Sequence, residues 1–497
     1  MDSISAIGIS KTFNRKRIFE DISITIHQGD RIAIIGENGV GKSTLMRILC
    51  GLELPDSGNL ICDEWVERRY SAQEPVFDPE KSILDIIADL DRPDECLKIM
   101  GQLGFKTENG ATLDLRMNVL SGGQRKILDI AYQFASSAAY IFIDEPENHL
   151  DIMARSELTK ILKKYWGAVV FVSHDRYLIN EIATKIIEIE DGQIRTVTGT
   201  YESYLEQRQQ EIEAEARRWQ AERKDIHRLE NAVRILQLRA RFNTKGSGVY
   251  QSRRRELERR RSEHGDKPTT DRKKIRLQSV DVERKGGKQI VVCEDLCFGY
   301  DNTSPLFKKT SLKMQFGERV ALIGRNGSGK TSFLEILKGE KHPTQGFCRL
   351  GNNIRIEYFD QLSLLDTRTT ALQIVEDKLS CHESIARSLL ANLLFEQSEV
   401  TLPISKLSGG QRNRIRIALL FAKSPEFVVL DEPTNNLDPT TWDILVEQIQ
   451  KYKGTLLVVS HDRSFLENVG LDKYWVFTGR KIQEDHRELE DVLASLE

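Results

Sequence analysis

The chain of 497 residues contains one set of motifs twice, and this repeat limits its fold more than any other feature. Since the chain is too long for one hydrophobic core, the repeat predicts two similar α/β domains, residues 1–200 and 289–497, joined by a connector, residues 201–288. Five motifs at nearly one offset indicate an internal duplication. Equivalent residues lie 287 or 288 positions apart: Lys42 and Lys330, Gln73 and Gln361, Leu120 and Leu407, Glu145 and Glu432, and His174 and His461.

Each copy begins with a glycine-rich loop between a predicted strand and a predicted helix. The sequence GENGVGKS in the first copy and GRNGSGKT in the second fit the pattern GxxxxGK[ST] of a phosphate-binding loop. In such a loop backbone N–H groups surround phosphates, the lysine reaches the β- and γ-phosphates, and the hydroxyl binds Mg²⁺. The nucleotide-binding candidates are Gly36, Glu37, Asn38, Gly39, Val40, Gly41, Lys42, Ser43 and Thr44, with Gly324, Arg325, Asn326, Gly327, Ser328, Gly329, Lys330, Thr331 and Ser332.

Further polar motifs follow each loop. A carboxylate at the end of a buried strand beside a phosphate-binding loop suits Mg²⁺, and the adjacent carboxylate suits activation of the attacking water. A histidine after a buried strand is more often structural, but its place in this series favours a catalytic role. The catalytic candidates are Glu145, Glu432, His174 and His461. The Mg²⁺ candidates are Ser43, Gln73 and Asp144, with Thr331, Gln361 and Asp431. Each copy also contains the sequence LSGGQ at the start of a predicted helix, which includes Ser121, Gly122, Gly123 and Gln124 in the first copy and Ser408, Gly409, Gly410 and Gln411 in the second.

The connector is predicted to be a helical hairpin. Apolar residues recur every seven positions in its first part, which indicates a long helix with a partner helix. They are Leu205, Ile212, Trp219, Ile226 and Val233. Glycine and polar residues at 242–250 predict a break, and two arginine triplets, 253–255 and 259–261, follow it.

Positive charge is concentrated in the second part of the connector. Residues 231–276 contain 15 Lys and Arg against 5 Asp and Glu, whereas the net charge of the chain is -3. This uneven distribution favours contact with a polyanion, although a solvated charged helix would look the same. The two aromatic residues of this region could stack on nucleotides or pack the helices together. The candidates for RNA contact are Arg241, Phe242, Lys245, Tyr250, Arg253, Arg254 and Arg255.

Other classes of protein are disfavoured. Seven scattered cysteines argue against a zinc site and favour buried, reduced thiols. No apolar run approaches the length of a membrane helix, and no signal peptide precedes the first motif, so we expect a cytoplasmic protein.

Each half resembles an ATP-binding-cassette nucleotide-binding domain, because LSGGQ follows a phosphate-binding loop and precedes Asp-Glu and histidine. The resemblance implies that two ATP molecules with Mg²⁺ lie between the halves, with Lys42 opposite residues 408–411 and Lys330 opposite residues 121–124. It also implies adenine stacking by Phe13 and Tyr300, which could instead be strand-edge aromatics of a small core. Leu150-Asp151 and Leu437-Asp438 match the D-loop of that family.

Two such domains on one chain with a charged hairpin resemble the ABC-F family. That resemblance implies a monomeric ATPase, without a membrane partner, that binds the E site of the 70S ribosome and extends its connector toward 23S rRNA and P-site tRNA. Glu147 departs from the family by replacing a threonine, so the two sites could hydrolyse ATP at different rates.

The spacing of the motifs narrows this resemblance. Several housekeeping members of the family have an insertion, called the arm, between the glutamine motif and the LSGGQ motif of the first domain. From Gln73 to Leu120 there are 47 positions and from Gln361 to Leu407 there are 46, so the first domain of this chain has no such insertion. This favours ribosome protection against antibiotics, without indicating a drug class. The rival functions are the ATPase subunit of a transporter with a separate membrane partner, and a DNA-repair ATPase, whose domains would be interrupted by long insertions.

Overall fold

The computed structural model describes residues 3–13, 16–63, 65–105, 113–240, 247–263, 288–300, 305–359, 368–435 and 437–496. These residues form two compact units, one of residues 3–201 with 288–496 and the other of residues 202–263. The first unit contains both halves of the duplication, and the second contains the helical connector.

The first half combines strands and helices in alternation. Its strands are β1 (Ser3–Phe13), β2 (Lys16–His27), β3 (Arg31–Gly36), β4 (Ser57–Ile61), β5 (Arg68–Ser71), β6 (Tyr140–Asp144), β7 (Ala168–Val172), β8 (Lys185–Glu190) and β9 (Gln193–Thr198). Its helices are α1 (Lys42–Cys50), α2 (Ile83–Ile87), α3 (Pro93–Gln102), α4 (Gly122–Ala135), α5 (Ile152–Lys164) and α6 (Arg176–Ile182), with a 3₁₀ helix at Met117–Val119.

The strands of the first half form two sheets that enclose its core. One is a six-stranded sheet of order β5-β6-β7-β3-β8-β9, parallel except for β9, and the other is an antiparallel sheet of order β2-β1-β4. Strands β6 and β7 are buried along their whole length, as expected for apolar strands with both faces covered. Because β6, β7 and β3 are neighbours, their carboxyl ends place Asp144, Glu145, His174 and the phosphate-binding loop at one edge.

The helical unit consists of α7 (Tyr201–Ala240) and α8 (Ser247–Glu263). The predicted pairing of helices is confirmed, because Ile226 and Val233 of α7 are buried with Leu257 of α8. Tyr250 also packs against this cluster. The predicted break is too long, since residues 247–250 belong to α8. Arg241, Phe242 and Lys245 lie outside the described residues.

The second half repeats the first. Its strands are β10 (Gln289–Phe298), β11 (Phe307–Gln315), β12 (Arg319–Ile323), β13 (Gln345–Leu350), β14 (Ile356–Phe359), β15 (Phe427–Asp431), β16 (Thr455–Val459), β17 (Lys473–Thr478) and β18 (Lys481–Asp485). Its helices are α9 (Lys330–Lys338), α10 (Ala371–Leu379), α11 (Glu383–Asn392), α12 (Gln397–Val400), α13 (Gly409–Ala422), α14 (Pro439–Lys451), α15 (Arg463–Val469) and α16 (Leu489–Ala494), with a 3₁₀ helix at Ile404–Lys406. The sheet orders, β14-β15-β16-β12-β17-β18 and β11-β10-β13, match those of the first half.

The predicted α/β fold with two similar domains and a helical region between them is confirmed. The expectation that the cysteines are reduced is wrong for one pair, because Cys293 and Cys348 are opposite each other in β10 and β13 and form a disulfide. Within the described ranges, each helix is either too short or too polar to cross a lipid bilayer.

Candidate functional site

Two candidate sites lie at equivalent edges of the two large sheets. Site 1 is defined by the phosphate-binding loop 36–43 with Asp144, Glu145 and His174, and site 2 by the loop 324–331 with Asp431, Glu432 and His461. Both loops lead from a buried parallel strand into a helix, α1 or α9. The positive end of each helix dipole therefore faces the loop, where it favours anions.

The loop of site 1 holds Lys42 in a buried position. Its Nζ donates hydrogen bonds to the carbonyl oxygens of Gly36 and Glu37, both at 2.9 Å. Burial lowers the pKa of Lys42. Gly41 has a φ of 106°, and a Cβ there would lie 2.2 Å from Cγ2 of Ile18, so only glycine fits. The backbone of the loop therefore curves closely around the ammonium group of Lys42.

The loop of site 2 has the same form. Nζ of Lys330 donates to the carbonyl oxygens of Gly324 at 2.7 Å and Arg325 at 3.2 Å. The hydroxyl of Ser328 is buried and has no hydrogen-bond partner among the described residues. A buried lysine, an unpartnered hydroxyl and a helix N-terminus together fit a phosphate group.

The two glutamates share an unusual backbone conformation but have different partners. Glu145 and Glu432 follow β6 and β15 with φ angles of 46° and 45°. In site 1, Oε2 of Glu145 accepts hydrogen bonds from Nε2 of Gln73 at 2.7 Å and from Nδ2 of Asn148. Burial raises the pKa of Glu145. Gln361, the equivalent of Gln73, lies outside the described residues.

In site 2 the histidine contacts the glutamate directly. The backbone N–H of His461 donates to Oε2 of Glu432 at 3.4 Å, and Nε2 of His461 lies 3.4 Å from Oε1. Burial raises the pKa of Glu432 to about 7, although the positive charges of Arg155 and Lys330 oppose this rise. Arg155 belongs to helix α5 of the first half.

In site 1 the backbone N–H of the histidine donates to a second carboxylate, that of Glu147, and not to the catalytic glutamate. Its Oε1 accepts hydrogen bonds from Oγ of Ser173 at 2.7 Å and from the backbone N–H of His174 at 2.8 Å. Its Oε2 is buried without a partner among the described residues, and burial raises the pKa of Glu147 to about 7. Nε2 of His174 is 3.8 Å from Oε1 of Glu145, and burial lowers the pKa of His174 to about 4.

The candidate Mg²⁺ ligands offer oxygen atoms, the ligands that this ion prefers. Ser43 and Thr331 are the second residues of α1 and α9. Asp144 ends β6, and its Oδ2 accepts a hydrogen bond from the hydroxyl of Tyr70 at 3.2 Å. Asp431 ends β15 at the equivalent position. This set of a hydroxyl and a carboxylate beside each loop fits Mg²⁺.

The LSGGQ segments begin helices α4 and α13. Ser121 and Ser408 are the N-cap residues, and each accepts a hydrogen bond from the backbone N–H of the glutamine three positions later. The second of these segments lies opposite the first phosphate-binding loop. The two line a cavity of about 520 Å³, to which Glu37, Asn38, Gly39 and Val40 contribute from one half and Ser408, Gly410 and Gln411 from the other.

At site 2 the D-loop of the first half contacts the second phosphate-binding loop. The backbone N–H of Asn326 donates to Oδ2 of Asp151 at 2.9 Å, and Nδ2 of Asn326 donates to the carbonyl of His149 at 3.0 Å. His149 also lies beside Gly123 of the first LSGGQ segment. Both phosphate-binding loops therefore face the opposite half.

The two aromatic candidates are exposed. Phe13, at the end of β1, is 62% exposed, and Tyr300, after β10, is 69% exposed. The hydroxyl of Tyr300 accepts a hydrogen bond from Nζ of Lys341 and lies 3.0 Å from Oγ of Ser332. Neither ring lies in the core, but the ring of Tyr300 has neighbours: Nζ of Lys341 lies 4.6 Å from its centroid, and the ring of Phe298 packs edge-on against it.

Comparison with known proteins identifies the family. A family model described as "ABC transporter" matches residues 19–148 and 307–435, and a second model with the same description matches residues 187–277. The ATP-binding protein Uup of Escherichia coli K12 is 31% identical over 96% of this chain and 81% of its own length. ABC transporter F family member 2 of Arabidopsis thaliana is 28% identical over 93% of this chain and 74% of its own length. The chain belongs to the ABC-F family.

A solved structure shows the same fold. The archaeal ribosome recycling factor aABCE1, in complex with the stalk protein aP1, aligns with a TM-score of 0.66 at 19% identity, covering 98% of this chain and 92% of that one. The cassettes of this ABC-F protein bind ATP, and it is an ATPase.

Sequence reasoning missed two cations with little exposure near the sites of this ABC-F protein, the buried Lys126 and the largely buried Arg155. Nζ of Lys126, in the LSGGQ helix α4, donates to the carbonyl oxygens of Ala72 at 2.6 Å and Asp144 at 2.8 Å. Arg155 of α5 forms an ion pair with Asp175 at 3.2 Å. Each residue is close in sequence to a motif, Lys126 to LSGGQ and Arg155 to the D-loop, and this proximity was the only available signal. The residues next to them do not predict that their side chains are covered.

Proposed function

We propose that this ABC-F ATPase is a translation factor that binds the E site of the 70S ribosome under the control of ATP. Its domains are residues 1–200, 201–288 and 289–497. ATP bound between the halves holds them together, and hydrolysis allows them to separate. The opposed loops and the cavity between the first phosphate-binding loop and the second LSGGQ segment support this mechanism.

The site residues have distinct proposed roles. Lys42 and Lys330 bind the phosphates, with the backbone N–H groups of both loops and of the opposite LSGGQ segments. Ser43 and Asp144, with Thr331 and Asp431, hold Mg²⁺, which neutralises phosphate charge, and Gln73 and Gln361 complete these sets. Glu145 and Glu432 accept the proton of the attacking water, and His174 and His461 contact the γ-phosphate. Phe13 and Tyr300 stack on adenine.

The observation that carries the ribosome proposal is the exposed basic face of α8. Arg253, Arg254 and Arg255 are all exposed. Arg253 and Arg254 form ion pairs with Glu256 and Glu258, but these exposed pairs are weak and can be exchanged for phosphate contacts. Arginines on a helical surface bind RNA phosphates without reading its sequence.

Family membership supports the ribosome as the partner, and the solved protein that shares this fold is an archaeal ribosome recycling factor. Within the proposal, the basic face contacts 23S rRNA or P-site tRNA in the cytoplasm. Because the first domain lacks the arm insertion, we favour one form of this activity, the displacement of antibiotics bound near the peptidyl-transferase centre. Tyr250 packs between the helices, so it contributes to their pairing rather than to RNA contact.

Co-sedimentation with 70S ribosomes in ATP tests the proposal. The double variant Glu145→Gln, Glu432→Gln should keep ATP bound and pellet with ribosomes, whereas the wild-type protein should be released. Reversing charge in that variant, with Arg253, Arg254 and Arg255 changed to Glu, should lower the pelleted fraction at least tenfold, since each lost phosphate contact weakens binding.

A matched control reverses three exposed charges elsewhere on the helical unit, at Arg217, Arg218 and Lys224 of α7. This control should pellet normally. If the double variant remains in the supernatant, the ribosome proposal is wrong, and association with membranes instead would favour a transporter subunit. If both charge reversals weaken binding equally, the basic face of α8 has no special role.

A further inference from the structure

We propose that the backbone N–H of Ile152, in the first half, positions the catalytic histidine of site 2, and that site 1 has no equivalent donor. The inference rests on the proposed catalytic roles of His461 and Glu432 and is independent of the ribosome. The inference implies that hydrolysis at site 2, but not at site 1, depends on contact between the two halves through this donor.

The contact joins a helix end to an imidazole ring. Ile152 is the first residue of α5, whose N-cap is Asp151. The first N–H groups of a helix have no partner within it, so they need acceptors elsewhere. The N–H of Ile152 donates to Nδ1 of His461 at 3.3 Å, and both residues are buried.

This hydrogen bond fixes the protonation of the ring. Because Nδ1 accepts, it has a free lone pair, and the proton of the neutral imidazole lies on Nε2. Burial lowers the pKa of His461 well below its ordinary value, and the positive charges of Lys330 and Arg155 lower it further. The ring is therefore neutral and presents an Nε2–H donor toward the catalytic side, where Oε1 of Glu432 lies 3.4 Å away.

Site 1 has a proline at the equivalent position. Pro439 is the first residue of α14, 287 positions after Ile152. Since proline has no N–H, α14 cannot make the same hydrogen bond to His174. Among the described residues, Nε2 of His174 has no hydrogen-bond partner. The tautomer of His174 is therefore not fixed by the first turn of the opposite helix.

The difference couples site 2, and not site 1, to contact between the halves. Ile152 can donate to His461 only while the first half lies against the second. When the halves separate, the ring is free to exchange between tautomers, and the fraction that presents Nε2–H falls. Hydrolysis at site 2 thus depends on a donor that the opposite half supplies.

The local backbone allows the donor to be removed cleanly. Asp151 has φ -74° and ψ 170°, an extended conformation that a following proline requires. Asp438, which already precedes Pro439, has nearly the same angles, φ -70° and ψ 157°. Proline is also favoured at the first position of a helix. Ile152→Pro should therefore keep α5 intact, and Ile152→Ala is the matched control that shortens the side chain but keeps the N–H.

The kinetic test measures each site alone in the full-length protein. In the Glu145→Gln background, which leaves site 2 active, Ile152→Pro should lower kcat about three- to tenfold with little change in KM, as expected for one hydrogen bond. Ile152→Ala should retain most of the activity. Equal losses in the two variants would assign the effect to the side chain and overturn the proposal.

Two further variants separate this inference from the proposed catalytic role. In the same background, His461→Ala should abolish site 2; if it does not, the role of His461 itself is wrong. If His461→Ala abolishes hydrolysis but Ile152→Pro does not lower it, only the present inference fails. In the reverse direction, Pro439→Ala in the Glu432→Gln background supplies an N–H opposite His174 and should raise kcat at site 1.

A spectroscopic measurement reports the tautomer of His461 directly, and its wild-type result does not depend on how the variants fold. With ¹⁵N-labelled histidine, the Nδ1 shift of His461 in the ATP-bound wild-type protein should be that of an unprotonated nitrogen. In Ile152→Pro it should move toward the average of both tautomers. A protonated Nδ1 in the wild-type protein would contradict the proposal.

Discussion

Site 1 and site 2 come from one duplicated sequence, yet different groups hold their catalytic side chains. Glu145 is bound by two side-chain amides, those of Gln73 and Asn148. Glu432 accepts from the backbone N–H of His461, and Gln361, the equivalent of Gln73, lies outside the described residues. The strands and motif residues are the same in both halves, and single substitutions change what surrounds them.

Three substitutions distinguish the surroundings of the two sites. Glu147 stands where the second half has Thr434, and it accepts the N–H of His174 that would otherwise be available to Glu145. Pro439 replaces Ile152 as the first residue of the helix after the D-loop, and Trp442 replaces Arg155 one turn later. Arg155 lies near Glu432, whereas Nε1 of Trp442 donates to Asp462 at 3.1 Å. The comparison teaches that one turn of helix can decide how the opposite site is arranged.

The largest expected effect comes from removing one catalytic carboxylate at a time. Glu432→Gln should lower hydrolysis at site 2 at least about a hundredfold, because a general base contributes that much, and it should lower total steady-state hydrolysis about three- to tenfold, because site 1 remains active without a positioned histidine. Glu145→Gln should lower it less than about threefold. Phosphate release at saturating ATP measures both.

If Glu145→Gln and Glu432→Gln lose activity equally, the proposed difference between site 1 and site 2 is wrong. Loss of all activity in each would show that the sites hydrolyse ATP only together. Binding of a fluorescent ATP analogue is the control, since both variants should retain their affinity for nucleotide.

Much of this arrangement could be predicted from sequence. The pattern GxxxxGK[ST] fixes a loop between a strand and a helix, and the motifs of Glu145 and His174 follow apolar runs whose parallel pairing places them at one edge. The repeat then predicts the second half. These inferences need only local patterns and a common topology.

Other features depend on contacts between residues distant in sequence. The side chain of Arg155 is charged and lies on a helix whose pattern suggests an exposed face, but it is buried because Asp175 and the second half cover it. The sequence marks Glu147 as a departure from the family, but it does not predict the three donors to its Oε1, which are Oγ of Ser173 and the N–H groups of His174 and Asp175. Helices α2, α3 and α10 to α12 have at most 10 residues each, which is shorter than the window of about 11 to 18 residues in which helical periodicity is recognised, and they were not predicted.

A second prediction concerns Arg155, which is largely buried and forms an ion pair with the buried Asp175. Arg155→Met leaves Asp175 without its ion-pair partner, and we expect a loss of about 3 to 5 kcal/mol of stability, since a lone buried charge is costly. The pKa of Glu432 should rise further, because the positive charge that opposes its rise is gone. Catalysis needs the carboxylate, so the acid limb of the site 2 pH–rate profile should move to higher pH.

Thermal unfolding and the pH–rate profile in the Glu145→Gln background measure these two effects. Arg155→Lys is the control, because it keeps the charge but not the forked geometry, and its acid limb should stay near that of the wild-type site. An unchanged limb in Arg155→Met would show that Arg155 does not act on Glu432, whatever the loss of stability.

The smallest expected effect concerns Glu147 and pH. Its pKa in the folded protein, about 7, lies above the ordinary value of 4.5, so the folded chain keeps this proton where the unfolded chain releases it. The contribution of Glu147 to stability is therefore greatest at low pH and declines as pH rises toward and through 7. Glu147→Thr, which reproduces Thr434, removes this decline. Relative to wild type, the variant should gain about 1 kcal/mol of stability between pH 6 and pH 8.

The free energy of unfolding measured at both pH values checks this, and Glu432 titrates in both proteins, so its contribution cancels. A stability difference that is the same at pH 6 and pH 8 would mean that Glu147 does not titrate in this range, and that the partner of His174 in site 1 is a permanent charge.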